Sequence, residues 1–470
     1  MAADPGRILI LGAGPTGLGA AYRLHGLGFE RFAILEAGSG PGGLAASYLD
    51  DRGFTWDVGG HVGFSHYSMY DAVLDEALGD RWLWHERNSS VWIRDRFVPY
   101  PFQHNLHRLD PADRDRALAG LDEASRRAGL REPATFKEWI DDSFGPGIAE
   151  LFMYPYNVKV WGYPLDRMAA NWVGDRVALP NVERIRENIR LHRDDTSVGP
   201  NRRFRFPARG GTGAIWTAIA NLIPPARIEY GRNVAMVDLG ARTARCTDGS
   251  SHEFDTILST IPLDTLTRIA TPLPERVREA GRALRHSAVH VIGIGLRGPR
   301  PDALATTCWM YFPDARSPYY RVTVFSNYSP HNVPEGAGCW SLMAEVCESP
   351  FTPVDARTVV STTIEAARRD CLIPAGTEIV SRWHHRAEHG YPTPFLGRDD
   401  VLQAIHPALE SRGVYSRGRF GGWKYEVSNQ DHSFMQGLEW ADMVLQGTSE
   451  VTYHDAARAN SGEFLGRPEV

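Results

Sequence analysis

Lysine is nearly absent from this 470-residue chain: Lys137, Lys159 and Lys424 stand against 48 arginines. The bias fits GC-rich coding, and it leaves any mechanism that needs a lysine with three candidates. Cysteine is almost as sparse. Cys246, Cys308, Cys339, Cys347 and Cys371 make no CxxC pair, and their odd number fits reduced cytosolic thiols. Long apolar runs are missing too. Ile8 to Ala13 and Val289 to Leu296 fall far short of the roughly 20 residues a bilayer span needs, so no membrane partner is expected. There is no excess of positive charge. The net charge of −6 gives no general attraction for nucleic acid or an anionic membrane, so an anionic ligand must be held by local arginines. Internal repeats and low-complexity tracts are absent. A strand-like run is under way by Arg7, so the expectation is no leader peptide and a cytoplasmic protein.

What is present is ordinary globular material, 43% apolar and 10% aromatic, enough for roughly three structural units. The chain opens strand, glycine turn, helix, strand: Arg7 to Leu11, Gly12 to Gly17, Leu18 to Leu27, then Phe32 to Glu36. That order is a βαβ unit. From about Pro111 to Asp194 the pattern is helical; Val182, Ile185 and Ile189 share one face, and Pro180-Asn181 supplies a start signal. Between Ala288 and Val346 the period shortens, and Ala288–Leu296, Tyr320–Phe325 and Trp340–Val346 read as strands. Asp355 to Cys371 reads as a helix. The expected fold is α/β, a Rossmann-like dinucleotide-binding domain (FAD-binding on the motifs that follow) with an inserted helical domain and an antiparallel β-sheet domain. The dinucleotide-binding domain would take residues 1–104, 201–262 and 411–470, the helical insert 105–200 and the sheet domain 263–410.

Three motifs carry chemistry. In Gly12-Ala-Gly14-Pro-Thr16-Gly17 the glycines serve a tight turn, close approach to a pyrophosphate, and close helix–strand packing. The helix that follows points its free N–H groups at the phosphates. Glu36 ends the second strand 24 residues after Gly12, where a carboxylate reaches a ribose hydroxyl. Gly42-Gly43, just beyond it, moves the cofactor from NAD towards FAD. Asp57-Val-Gly59-Gly60-His61-Val-Gly63 sets paired glycines beside a histidine, as for backbone lying against a flat ring.

Several longer strings resemble one family. Asp57 to Val62, Tyr100-Pro-Phe102-Gln103, Leu151-Phe152-Met153, Pro155-Tyr-Asn157, Lys159-Val-Trp161 and Arg205 to Gly213 are similar to UDP-galactopyranose mutases of the larger, eukaryotic type. So are Cys308-Trp309, Tyr311-Phe-Pro, Phe325 to Pro330, His389 to Pro394, Gly418-Arg419-Phe-Gly, Trp423, Tyr425-Glu-Val and Asn429 to Met435. The resemblance covers nearly the whole chain. It implies a reduced flavin acting as nucleophile at the anomeric carbon, through a covalent flavin N5–sugar adduct, with no net redox change and with NADPH or NADH as reductant.

By position, the resemblance assigns FAD contacts to Gly12, Gly14, Thr16, Gly17, Glu36, Gly43, Gly60, His61, Arg87, Ser89, Gly418, Asn429, Gln430 and Ser433. A nucleoside pocket falls to Tyr100, Phe102, Gln103, Phe152, Asn157 and Trp161, aromatic walls with an amide to read a base edge. Arg321, Tyr311, Tyr391 and Tyr425 match a pyrophosphate clamp, and Arg176, Asn201, Trp309, Arg419 and Asn429 match positions near sugar and flavin. His61, Arg176, Arg321 and Arg419 are the catalytic set, and no metal is implied. The partner is a nucleotide-sugar substrate, and a homo-oligomer is left open. Two positions depart from the family. Gly63 replaces a bulkier aliphatic and Ser197 an asparagine. Gly63, two residues from His61, is expected to border the sugar and to bear on which hexose is taken. UDP-galactose is the default, another nucleotide sugar such as a GDP-hexose the alternative. More distant alternatives are a flavin amine oxidase, which would place a lysine near flavin N5, and a silent nucleotide-sugar binder.

Overall fold

The computed structural model describes residues 4–127, 129–197, 202–336 and 338–465. Its first sheet is five-stranded and wholly parallel, in the order Val414–Ser416, Thr256–Ser259, Ile8–Leu11, Phe32–Glu36, Ile228–Tyr230. Ile8–Leu11 lies at its centre and is buried on both faces, which explains an unbroken apolar strand. The helix Pro15–Gly26 follows the glycine turn, with Pro15 at its first position, where a missing N–H costs nothing. It packs against the closing helix Gln430–Gln446 at very short range. A Cβ on Gly19 would stand 2.2 Å from the Phe434 carbonyl oxygen, and one on Gly437 1.9 Å from that of Thr16.

The second large sheet has seven strands, in the order Glu378–Pro392, His286–Arg297, Cys339–Glu348, Arg321–Thr323, Trp309–Tyr311, Ser89–Ile93, Arg96–Pro99. Every pairing is antiparallel except that of Trp309–Tyr311 with Ser89–Ile93. Two features differ from the sequence reading. The fifteen-residue strand Glu378–Pro392 was not expected, because its charges and histidines hide the apolar alternation; as an edge strand it buries only part of its surface. Ser89–Ile93 and Arg96–Pro99, placed by sequence in the dinucleotide-binding part, belong to this sheet, so sheet membership crosses the boundary set at residue 104.

The helical segment contains Pro111–Arg127, Phe136–Ile148, Tyr154–Trp161 and Val182–Leu191. The last is capped by Asn181, whose side chain accepts from the Arg184 N–H at 3.0 Å. No helix among the described residues is long and apolar enough to cross a membrane.

Candidate functional site

A cavity of about 650 Å³ opens at the carboxyl ends of the parallel strands and is closed on its far side by the seven-stranded sheet. Open α/β sheets bind ligands at that edge. Gly12, Gly14, Thr16, Glu36, Gly43, Gly60, His61, Gly418, Asn429, Gln430 and Ser433 line it, with Arg321, Tyr391, Arg419 and Tyr425.

The glycine end is made largely of backbone. Gly12 has φ +105°, a conformation L side chains rarely adopt. Gly17 does not face the cavity, yet a Cβ there would stand 1.9 Å from the Gly12 carbonyl oxygen, so it sets the turn itself. Gly14 is different. Its Cβ would meet no protein atom nearer than 3.9 Å, so packing does not demand glycine there, and the missing side chain leaves space on the cavity side. The helices Pro15–Gly26 and Gln430–Gln446 both begin at this cavity, and neither Gly14 nor Asn429 caps its helix with a side-chain bond. Two partial positive charges therefore face one space, which suits a pyrophosphate. Glu36 holds the turn together, accepting from the Ala13 and Gly38 N–H groups at 2.7 Å each. These residues fit a flavin dinucleotide.

Opposite lies the Gly59–His61 loop. Gly59 has φ +97°, and a Cβ on Gly60 would come within 3.0 Å of Thr323 Oγ1 and 3.4 Å of the Arg321 guanidinium carbon. The loop is anchored by Glu345, a residue the sequence reading missed. Glu345 is 2% exposed. Its carboxylate accepts from the Gly60 N–H at 3.0 Å, Arg321 Nε at 2.7 Å, Arg321 Nη2 at 2.8 Å and the Tyr320 hydroxyl at 2.8 Å. Burial pushes the carboxyl up, but the Arg321 guanidinium and the other donors outweigh it and hold Glu345 below the usual carboxylate range. A lone acid inside the apolar run Trp340 to Val346 was the available signal, since such a carboxylate must find a partner. His61 Nδ1 lies 3.2 Å from the Gly59 carbonyl oxygen. Burial, with Arg321 and Arg419 nearby, pushes its imidazolium down to about 4 against the pull of Glu345, so the ring is neutral at pH 7.

The arginines gather around two tyrosines. The Arg419 guanidinium lies 5.0 Å from the Tyr391 ring centre and 5.6 Å from that of Tyr425, and it donates to the Gly390 carbonyl at 2.9 Å and Ser428 Oγ at 2.9 Å. Arg176 stands 6.0 Å from the Tyr425 ring and donates to the Glu426 carbonyl and, at 3.1 Å, to Asn460. Arg176 does not line the cavity but borders it through Tyr425.

Other predicted residues form an aromatic layer beside the cavity rather than its wall. Ring contacts of 5.1 to 5.3 Å run from Phe102 to Phe152, Tyr156, Tyr311 and Tyr100, and Arg87 stacks over Tyr100 at 5.0 Å. Trp161 packs edge-on against Tyr425 at 4.8 Å and Tyr391 at 5.8 Å. Phe102, Phe152 and Trp161 are core residues. Gln103 is buried, its Nε2 donating to the Ala178 carbonyl, and Asn157 Nδ2 donates to the Met153 carbonyl at 2.7 Å. Each amide therefore keeps its oxygen and a second N–H for a ligand. Ser89 and Trp309 face each other across paired strands, and Ser89 Oγ is buried without a partner. Asn201 lies outside the described residues.

Gly63 requires a correction. It does not line the cavity but forms a two-residue bridge with Arg205, its N–H donating to the Arg205 carbonyl at 2.9 Å. A Cβ there would stand 2.6 Å from that oxygen. A side chain there would meet the Arg205 backbone rather than the cavity, and the sugar-side reading of Gly63 is withdrawn. Ser197 Oγ donates to Asp195 at 2.8 Å and accepts from Arg184 at 2.6 Å. Neither lysine singled out for the oxidase alternative reaches the cavity. Lys159 Nζ donates to the carbonyls of Phe312, Asp314, Ser317 and Tyr319 at 2.7 to 2.9 Å, and Lys424 Nζ to that of Tyr453 at 3.1 Å.

A family model described as flavin containing amine oxidoreductase matches residues 15–431 and defines the class. The crystal structure of a reduced UDP-galactopyranose mutase is 47% identical and superposes with a TM-score of 0.94, covering 97% of each chain. The chain belongs to the UDP-galactopyranose mutase family. More distant structures share the fold alone. A candidate protoporphyrinogen oxidase from Exiguobacterium sp. 255-15 is 16% identical with a TM-score of 0.71, covering 94% of this chain and 99% of its own. A CLA-producing fatty acid isomerase from P. acnes is 14% identical with a TM-score of 0.67, covering 95% and 100%.

Proposed function

We propose that this protein is a flavin-dependent mutase that interconverts the pyranose and furanose forms of a nucleotide-linked hexose, with UDP-galactose as first substrate. The observation that carries the reading is one cavity with two unlike ends: a backbone cradle under two helix N-termini, and a cluster of arginines and tyrosines across from it. Gly12, Gly14, Thr16, Glu36, Gly43, Gly418, Asn429, Gln430 and Ser433 would hold FAD, with NADPH or NADH as its reductant. When bound and reduced, the flavin supplies the nucleophile that takes the sugar from the diphosphate.

The chain's own residues do the remainder. The helix N-termini stabilise negative charge in the cradle. Gly59 and Gly60 let the His61 loop lie flat, and Glu345 fixes that loop and Arg321 in one arrangement. Arg321 and Arg419, with Tyr391 and Tyr425, hold the leaving diphosphate, and Arg176 closes the Tyr425 side. The aromatic layer from Phe102 to Tyr311 and Trp161 would flank the base. Gln103 keeps its oxygen and a second N–H, a donor–acceptor pair that can read an edge of uracil or of guanine, so a GDP-hexose is the second reading. Lys159 is committed to four carbonyls, which counts against an amine oxidase built on that residue.

The test is an anaerobic assay of the reduced protein with UDP-, GDP- and dTDP-hexopyranoses, scored by formation of the furanose, beside peroxide release from amines in air. Furanose from UDP-galactopyranose above the others supports the first reading, and furanose from a GDP-hexose the second. Peroxide from amines without furanose would overturn both.

A further inference from the structure

Among the described residues, two groups of histidine and carboxylate bring three donor atoms within 4.8 Å of one another. In the first, His66, Asp431 and His432, the last two have no solvent exposure, and His66 Nδ1 is already bonded to Asp431 Oδ2 at 2.7 Å. The second group is open. Asp264 sits in the first turn of the helix Leu263–Ile269, His286 begins the strand His286–Arg297, and His389 lies near the end of Glu378–Pro392. All three are half-buried, and His389 and its neighbour Glu388 reach the rim of the cavity.

The geometry is compact and braced. His389 Nε2 lies 3.1 and 3.2 Å from the two Asp264 oxygens, and the His286 and His389 rings stack at 4.1 Å. Glu388 Oε1 stands 3.9 Å from His286 Nε2. The Thr265 N–H fixes one Asp264 oxygen at 2.7 Å. Phe420 meets His389 edge-on at 5.2 Å, and Trp423 meets His286 edge-on at 5.9 Å. Metal sites orient their ligands with outer hydrogen bonds, as the Thr265 N–H does for Asp264.

We infer that Asp264, His286 and His389 form a binding site for a divalent transition-metal ion, zinc being the first to try. The motif reading implied no metal, because these residues are 22 and 103 positions apart along the chain and only the fold joins them. Two imidazoles and one carboxylate are the donor set of zinc and its first-row neighbours, whereas magnesium and calcium prefer oxygen. Donors on a tetrahedral ion at about 2.0–2.2 Å stand roughly 3.3–3.6 Å apart, so the three donors would close by up to about 1.5 Å as the stacked rings turn apart. Glu388 or water completes the shell. An ion there would tie a helix and two strands together beside the flavin cavity.

The experiment uses untagged, metal-stripped, full-length holoprotein, titrated calorimetrically with Zn²⁺ and spectroscopically with Co²⁺. One zinc per chain is expected, with a rise in unfolding temperature, no such rise with Mg²⁺, and a weak visible cobalt band without a thiolate charge-transfer band. Asp264→Asn and His286→Gln, each checked for an unchanged flavin spectrum, should weaken binding at least about tenfold. His66→Gln should bind as before. Failure to bind zinc would overturn the assignment, as would unchanged affinity in both variants or loss in His66→Gln. A charge-transfer band that marked the exposed Cys371 would do the same. Should a variant not fold, the cobalt spectrum of the unaltered protein decides.

Discussion

The two ends of the cavity are built in opposite ways. At the cradle the groups facing the cavity are backbone N–H groups and spaces where a Cβ is missing, set by close packing at Gly12, Gly17 and Gly437 but not at Gly14. At the clamp the working groups are long side chains, each already holding a protein partner: Arg321 on Glu345, Arg419 on Ser428 and Gly390, Arg176 on Glu426 and Asn460. A backbone site is rigid and tolerates almost no substitution. A side-chain site exchanges partners when a ligand arrives, and single residues tune it.

The largest expected effect lies at the cradle, where two glycines should fail differently. Gly17→Val drives a Cβ to 1.9 Å from a carbonyl and should give no soluble, flavin-bearing protein. Gly14→Val has room on the protein side, so it should fold by circular dichroism yet purify without flavin. Equal flavin content in Gly14→Val and the unaltered protein would erase the distinction between packing and ligand glycines.

At the clamp, Arg321→Ala should lower kcat/KM by about 2–5 kcal/mol in transition-state terms if that arginine holds the diphosphate. Glu345→Gln leaves the guanidinium buried without its countercharge. It should lower unfolding stability by about 2–4 kcal/mol, below the full value for a buried pair because Arg321 keeps 23% side-chain exposure. Urea unfolding measures the second and steady-state kinetics the first. A stability loss with unchanged turnover in both variants would make the pair structural only.

An intermediate effect follows from three histidines held neutral. Burial pushes His61 and His432 down to about 4 and His406 to about 3, from an ordinary 6.5. Between those values these three histidines bind more protons in the unfolded chain than in the folded one, so their contribution to stability falls as pH falls from about 6.5 towards 4, opposed in part by Asp57, whose carboxyl burial raises to about 7. Thermal melts across that range check the slope, and His432→Gln should flatten part of it. The smallest functional effect belongs to Gly63→Ala. Its Cβ meets the Arg205 carbonyl at 2.6 Å, so the melting temperature should drop while the ranking of UDP-, GDP- and dTDP-sugars stays the same.

The same contrast explains what could be read from sequence. The cradle was legible because its requirements are local: Gly12 to Gly17, the strand before, the helix after and Glu36 lie within one stretch, and the second strand runs from Phe32 to Glu36 as expected. The clamp was legible only through family resemblance, since an isolated arginine carries no local signature. Glu345 escaped because its partners lie 24 and 285 residues away, at Arg321 and Gly60. Gly63 was misread for the same reason: its constraint is a strand 142 positions on, at Arg205. Glu378–Pro392 escaped because an edge strand has little need of apolar residues.

The measurement that bears most directly on the central claim compares one preparation in two redox states. UDP-galactopyranose is offered anaerobically to the oxidised protein and to the same protein after dithionite reduction, and the furanose is counted by chromatography. Turnover confined to the reduced form, with flavin still reduced at the end, is the predicted result. Equal turnover in both states, or consumption of the reduced flavin in proportion to product, would contradict it.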